Sequence, residues 1–167
     1  MKLNPSKCVF GVTAGKFLGF MVSQRGIEVN SEKVRVILEL EPPRTVKAVQ
    51  SLNGKVVALN RFVSKATDRC LPFFRILRKS FEWTDECQKA FEDLKKYLSS
   101  PPLLSPSRPG EELYLYIAVS QAAVSAALVR EEGGSQRPVY FISKAFRGTE
   151  ERYPRIEKLA FALMTMA

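Results

Sequence analysis

The residues that could do covalent or metal chemistry are few, and their spacing does not bring them together. There is no histidine, Cys8, Cys70 and Cys87 form no CxxC pair, and Asp68, Asp85 and Asp93 are scattered among helical segments. Zinc draws on His and Cys. Hard divalent cations need several oxygens converging on one point. Neither donor set is legible. Three reduced cysteines fit an intracellular protein. Charge is more informative. Residues 1–80 carry 15 Lys+Arg against 5 Asp+Glu, while the remainder is close to neutral, so the net +9 comes from the first half. An asymmetry of that kind favours a polyanionic partner, because cations on phosphates release counterions.

The elements that would position such a surface can be read along the chain. Lys7–Phe10 reads as a short strand, Gly11 to Gly15 as a turn, and Lys16–Ser23 as a second strand closed by Arg25-Gly26. Asn30 caps a helix carrying Val34, Ile37 and Leu38, which Pro42-Pro43 stops. Thr45 caps a second, with Val46, Val49, Leu52, Val56 and Leu59 as its stripe and Lys47, Gln50, Gly54 and Lys55 off it. Leu71–Leu77 is a short third helix. Thr84 caps the clearest one, with Asp85 and Glu86 in its first turn and Lys95 and Lys96 in its last. The Pro- and Ser-rich stretch 99–110 reads as a connector. Three strands follow, Leu113–Val119, Ala122–Arg130 and Pro138–Ser143, with Gly133-Gly134 in the second turn. Near Tyr153 a helix begins with Ile156, Leu159, Ala160 and Leu163 on one face. Its pattern runs to Ala167 without a cap, which we read as truncation. No apolar run has the roughly 18–20 residues of a membrane span, and MKLNPSKC has no apolar signal core.

A three-stranded meander feeding a helix is how the ribonuclease H fold opens, and that chemistry runs on two metals held by carboxylates. Strand 113–120 contains no acid; Glu111 and Glu112 at its mouth read as solvated termini. Across the whole chain the ordered segments Lys7-Cys8-Val9-Phe10-Gly11, Phe17-Leu18-Gly19-Phe20-Met21-Val22-Ser23, Arg25-Gly26-Ile27-Glu28 and Asn30-Ser31-Glu32-Lys33 carry a family resemblance. Asn60-Arg61-Phe62, Phe81-Glu82-Trp83-Thr84, Pro138-Val139-Tyr140-Phe141-Ile142-Ser143-Lys144, Tyr153-Pro154 and Glu157-Lys158 continue it. The chain resembles the polyprotein of gypsy-class LTR retrotransposons, especially the plant elements.

That resemblance implies an α+β architecture. Residues 1–28 would be the end of the reverse transcriptase palm with its primer-grip hairpin, 29–80 a helical thumb and 81–110 a connector. Residues 111–167 would be the truncated, degenerate start of a ribonuclease H-like domain. It also implies an RNA–DNA hybrid or other duplex as partner, the rest of the polyprotein as a second partner, and no membrane. The setting would be a cytoplasmic particle or the nucleus. Phe17, Leu18, Gly19 and Phe20 match the primer grip, where Gly19 allows close backbone approach; the three apolar side chains read equally well as core. The helix from Thr45 resembles the thumb helix that follows the template–primer minor groove. Gln50, Gly54 and Ala58 share a face of it. A glycine in mid-helix costs about 1 kcal/mol relative to alanine, justified by close passage of sugar and phosphate or by packing against another helix. Lys47, Lys55, Arg61 and Lys65 would add phosphate contacts that position without reading sequence.

The same resemblance identifies what is missing. The family's first nuclease strand reads Leu-Tyr-Thr-Asp-Ala-Ser; here Ala118 replaces the metal-binding aspartate. The helix reads Glu-Lys-Glu-Leu-Leu, and Leu159 stands at the second glutamate. Glu157 cannot substitute, since two residues turn a helix about 200°. The Tyr-x-Asp-Asp turn has no counterpart in the segment. The expectation is therefore a non-catalytic piece of an RNA-directed DNA polymerase polyprotein, without its own cofactor and with Mg²⁺ bound elsewhere in an intact parent. The alternative is a structural remnant of a decayed or domesticated element without a nucleic-acid role.

Overall fold

A computed structural model describes residues 4–5, 8, 10–17, 19–78 and 81–166, with the side chains of Arg78 and Met166 outside that set. The fold is α+β, with two three-stranded antiparallel sheets and five helices among the described residues. The first sheet is a meander of β1 (Ala14–Phe17), β2 (Phe20–Ser23) and β3 (Gly26–Val29), with Phe17 opposite Phe20 and Ser23 opposite Gly26. Two-residue turns therefore join the strands. This corrects the reading of Lys16–Ser23 as one strand. The apolar run Phe17–Val22 hides a reversal that only Gly19 marks, at φ 81°. The strand expected over Lys7–Phe10 is not formed at Cys8 or Phe10; Lys7 and Val9 lie outside the described residues.

Four helices follow, each begun where a local signal places it or close by. Asn30 caps α1 (Ser31–Leu38) by accepting from the Glu32 amide, and Thr45 caps α2 (Val46–Val57) by accepting from Ala48. A 3-10 turn at Asn60–Phe62 leads to α3 (Ala66–Arg78), which begins five residues before the expected Leu71 and carries Pro72 inside it. The helix is tolerated there because Pro removes only one backbone donor, and apolar Cys70, Phe73 and Ile76 bury its face. Thr84 caps α4 (Asp85–Leu98) through the Cys87 amide. One core gathers Val34 and Ile37 of α1, Val49, Leu52 and Val56 of α2, Phe62, Phe73 of α3, and Phe91, Leu94 and Leu98 of α4.

The stretch beyond α4 is no loose linker. Leu104 is 1% exposed and pairs in both directions with Ile27 of β3, through Ile27 N–H to Leu104 O (2.8 Å) and Leu104 N–H to Ile27 O (3.0 Å). The next residue, Ser105, donates its N–H to the Pro138 carbonyl at 2.8 Å. Two adjacent residues thus stitch the first sheet to the second. Gly26 makes this possible. Its φ is 139°, and a Cβ there would overlap the Leu104 carbonyl.

The second sheet contains β4 (Leu113–Val119), β5 (Ala123–Glu132) and β6 (Ser135–Ala145) in that order. Strands β5 and β6 run further than the sequence suggested, down to a two-residue Gly133-Gly134 turn. Helix α5 (Arg155–Met166) lies on the sheet face bearing Ile117, Val119 and Val124, seated by Ala162 and Phe161. The face expected to pack, with Ile156, Leu159, Ala160 and Leu163, is instead exposed. Helical spacing identifies an apolar stripe but not which neighbour receives it. Here Lys158 helps fix the orientation, its buried ammonium donating to the Gln121 carbonyl at 2.8 Å and lying over the Phe146 ring at 4.8 Å. Glu111 is also not a solvated terminus: it accepts from Arg130, which is 5% exposed, through Nε (3.0 Å) and Nη2 (2.9 Å).

Candidate nucleic-acid interface

Helix α2 has two unlike sides. Val49, Leu52, Asn53 and Val56 are buried, whereas Lys47, Gln50, Gly54 and Ala58 are exposed. Ala58 is the C-cap and retains helical angles (φ −66°, ψ −15°), so the Gln50–Gly54–Ala58 row runs unbroken along the surface. Apart from its chain neighbours and the helix's own backbone, no atom lies within 4 Å of where a Gly54 Cβ would stand. Packing against another helix therefore does not explain this glycine. Lys55 borders the row with its ammonium donating to Ser51 Oγ at 2.6 Å, which orients the cation along the helix.

Residues of the hairpin divide between surface and core. Phe17 is 65% exposed, Phe20 packs against the core, and Leu18 lies outside the described residues. Phe20 meets Phe62 at 5.6 Å between ring centroids. Two cations flank it: Lys33 Nζ at 5.7 Å and the Arg61 guanidinium at 5.4 Å from the ring centroid. Lys33 also lies against Gly19, so α1 delivers a positive charge to the hairpin tip. Sequence reading did not include Lys33 among the binding residues, although Asn30-Ser31-Glu32-Lys33 carried part of the resemblance. Its neighbour Glu32 is paired with Lys16 of β1 at 3.1 Å, and the hydrogen bond from Lys16 holds its carboxyl below the usual range, helped by Asn30.

Arg61 is engaged on two sides. Its guanidinium sits over Phe20 and, at 5.1 Å, over Tyr140 of β6. Hairpin, helical unit and second sheet meet on this one side chain. Lys65, exposed, begins the connection into α3 with φ 52°.

Ala118 pairs with Ser125, and strand alternation turns it to the opposite side of the sheet from Ile117 and Val119, which pack with α5. It lines a small cavity with Ser64, Lys65, Ser125 and Phe141. Neither Ala118 nor Leu159 offers a side-chain oxygen, and Lys65 lines the cavity beside Ala118, where a cation would need negative charge. These residues do not fit a divalent metal. Among the described residues no group of three or more His, Cys, Asp or Glu is placed to hold one, and no helix is long and apolar enough to cross a membrane.

The arrangement has counterparts among solved structures. The foamy viral protease–reverse transcriptase in complex with dsDNA superposes with a TM-score of 0.75 at 23% identity, over 93% of this chain and 33% of that one. The same viral protein in complex with RNA/DNA hybrid gives 0.74 at 23% identity, over 92% and 21%. At that identity the likeness defines the fold. Residues 83–167 match the family described as the RNase H-like domain found in reverse transcriptase, and the chain belongs to that family. The Retrovirus-related Pol polyprotein from transposon 412 of Drosophila melanogaster is 32% identical over 160 residues, covering 95% of this chain. The Tf2-3 polyprotein of Schizosaccharomyces pombe is 26% identical over 165 residues, covering 97%. The chain spans only 13% and 12% of those polyproteins. It is homologous to the reverse transcriptase and RNase H-like region of LTR retrotransposon polyproteins.

Proposed function

We propose that this segment helps hold the RNA–DNA template–primer of a gypsy-class, plant-type retrotransposon reverse transcriptase, and that it is itself non-catalytic. The observation that carries this reading is the bare main chain at Gly54. It lies open on the surface between Gln50 and Ala58 while the other side of α2 is buried. A sugar–phosphate backbone can approach such a strip more closely than it can approach any side chain, and Lys47, Lys55 and Lys65 supply charge beside it. Lys33 and the Gly19 turn would meet the primer end. That the foamy viral relatives were solved with dsDNA and with RNA/DNA hybrid supports a duplex as partner. The remainder of the polyprotein would supply the polymerase aspartates and Mg²⁺ and would set the location, a cytoplasmic particle or the nucleus. Ala118 and Leu159 make the RNase H-like part a spacer rather than a nuclease. Binding of RNA–DNA hybrid across a salt series tests this: three phosphates neutralised by lysine give a log–log slope of about −3. Salt-independent binding, or none by a folded chain, would favour a structural remnant.

A further inference from the structure

Strand β4 turns Tyr114, Tyr116 and Ala118 to the side of the second sheet away from α5. Both tyrosine rings are open to solvent, at 40% and 51% exposure, and Ala118 is exposed with them. The Tyr116 ring is held in one orientation, because its Oη accepts from Gln136 Nε2 at 2.6 Å. Beside it lies a cavity of about 140 Å³, lined by Tyr116, Ala118, Phe141 and, from the loop before α3, Ser64 and Lys65. Lys65 is the only charged residue of that lining. The Ser125 hydroxyl, also in the lining, is already shared with Ser143 (2.9 Å).

Lys65 has a second distinction: among the described residues it is the one non-glycine with positive φ, at 52°. Its backbone is fixed from both sides. The Ser64 N–H donates to Tyr97 Oη (3.2 Å), the Ser64 carbonyl accepts from Arg69 Nε (3.0 Å), and the Lys65 carbonyl accepts from the Arg69 amide (3.1 Å). Glycine or asparagine takes this conformation with less strain, so a lysine held there points to a use for its side chain. Acids do not compete for it. Asp68, three residues on, accepts from Ser120 Oγ at 2.7 Å, and Glu111 and Glu112 precede the opposite end of β4.

We propose that this face binds unpaired nucleotides of a single strand, a base stacking on Tyr116 over Ala118 and its phosphate meeting Lys65. Exposed aromatic rings accept any base, because each base has a π-face, and a neighbouring cation holds the backbone that joins them. Tyr114, two residues and about 7 Å along the strand, offers a ring to the next base. A ring and a cation already fixed in place lose little freedom on binding. A duplex cannot use this platform, since its bases are stacked on one another. The inference rests on the reading of nucleic acid as partner, but not on the Gly54 strip.

The test is fluorescence anisotropy of the whole chain with a labelled oligodeoxythymidylate, with an abasic strand of the same length and charge, and with the RNA–DNA hybrid. The abasic strand should bind at least tenfold more weakly than the oligothymidylate. Tyr116→Leu should weaken oligothymidylate binding tenfold or more, and Tyr116→Phe, which keeps the ring, should restore most of it. Lys65→Gln should weaken the oligothymidylate and the abasic strand alike. Four results overturn the proposal: no oligothymidylate binding by the folded chain, equal binding of the abasic strand, undiminished binding by Tyr116→Leu, or equal losses in Tyr116→Leu and Tyr116→Phe. Hybrid binding that persists through any of these leaves the α2 reading standing. Oligothymidylate binding without hybrid binding sinks that reading and supports this one. The wild-type comparison with the abasic strand decides the matter even if a variant fails to fold.

Discussion

The guanidinium of Arg61 lies 5.1 Å from the ring centroid of Tyr140, and the other contact it makes, with Phe20, reaches the first sheet. A residue whose charge suggested phosphate binding thus also fastens three parts of the molecule together. A cation over an aromatic face contributes about 0.5–1 kcal/mol where solvent reaches it, and about 2 where it does not. Arg61→Ala should therefore lower unfolding stability by about 1–2 kcal/mol in a urea titration. A double-mutant cycle with Tyr140→Leu should return a coupling of about 0.5–1 kcal/mol. Strict additivity would show that the stacking carries no energy.

Two glycines should respond to alanine in opposite directions. At Gly26 the backbone has φ 139° and the Leu104 carbonyl fills the Cβ position. Gly26→Ala should cost about 1–3 kcal/mol in backbone strain alone, and more if the pairing between Ile27 and Leu104 is lost. At Gly54 the space is open and the backbone helical. Gly54→Ala should raise stability by about 0.5–1 kcal/mol. Thermal melts of the two variants check both signs.

Much of the architecture was legible because it is locally encoded. Asn30, Thr45 and Thr84 cap helices through hydrogen bonds made within three residues, and Gly133-Gly134 turns a hairpin by itself. The row formed by Gln50, Gly54 and Ala58 followed from helical spacing alone. What could not be read depends on distant residues. The pairing of Leu104 with Ile27 joins residues separated by nearly half the chain, so a Pro- and Ser-rich stretch read only as a connector. The exposed side of α5 was misjudged because an apolar stripe does not reveal which surface it meets. Likewise Arg61 between two rings, and Lys65 beside Ala118, become visible only when the helices and the second sheet are brought together.

The ion pair between Glu111 and Arg130 is largely buried, with side-chain exposures of 17% and 6%. Removing Glu111 takes away the two short contacts to Arg130 and leaves it only Glu132, at 3.8 Å. Glu111→Ala should cost about 3 kcal/mol, while Arg130→Met paired with Glu111→Leu should recover most of that loss. Denaturant midpoints at constant m-value would show it.

Cysteine accessibility gives a simple check on the packing. Cys70 and Cys87 are 3% and 1% exposed, and burial holds the Cys70 thiol in its protonated form. Cys8 is only partly covered. Under native conditions at neutral pH, iodoacetamide should modify Cys8 first, with Cys70 and Cys87 reacting only after denaturation. Early labelling of Cys70 would contradict the packing of α3.

The most direct test of a duplex surface on α2 compares RNA–DNA hybrid binding by the wild type, Gly54→Ala and Gly54→Glu at fixed salt, with folding verified in parallel. A carboxylate on the bare strip would repel phosphate, so Gly54→Glu should weaken binding tenfold or more, about 1.4 kcal/mol, with Gly54→Ala in between. Equal affinity for all three folded proteins would show that nucleic acid does not pass over α2.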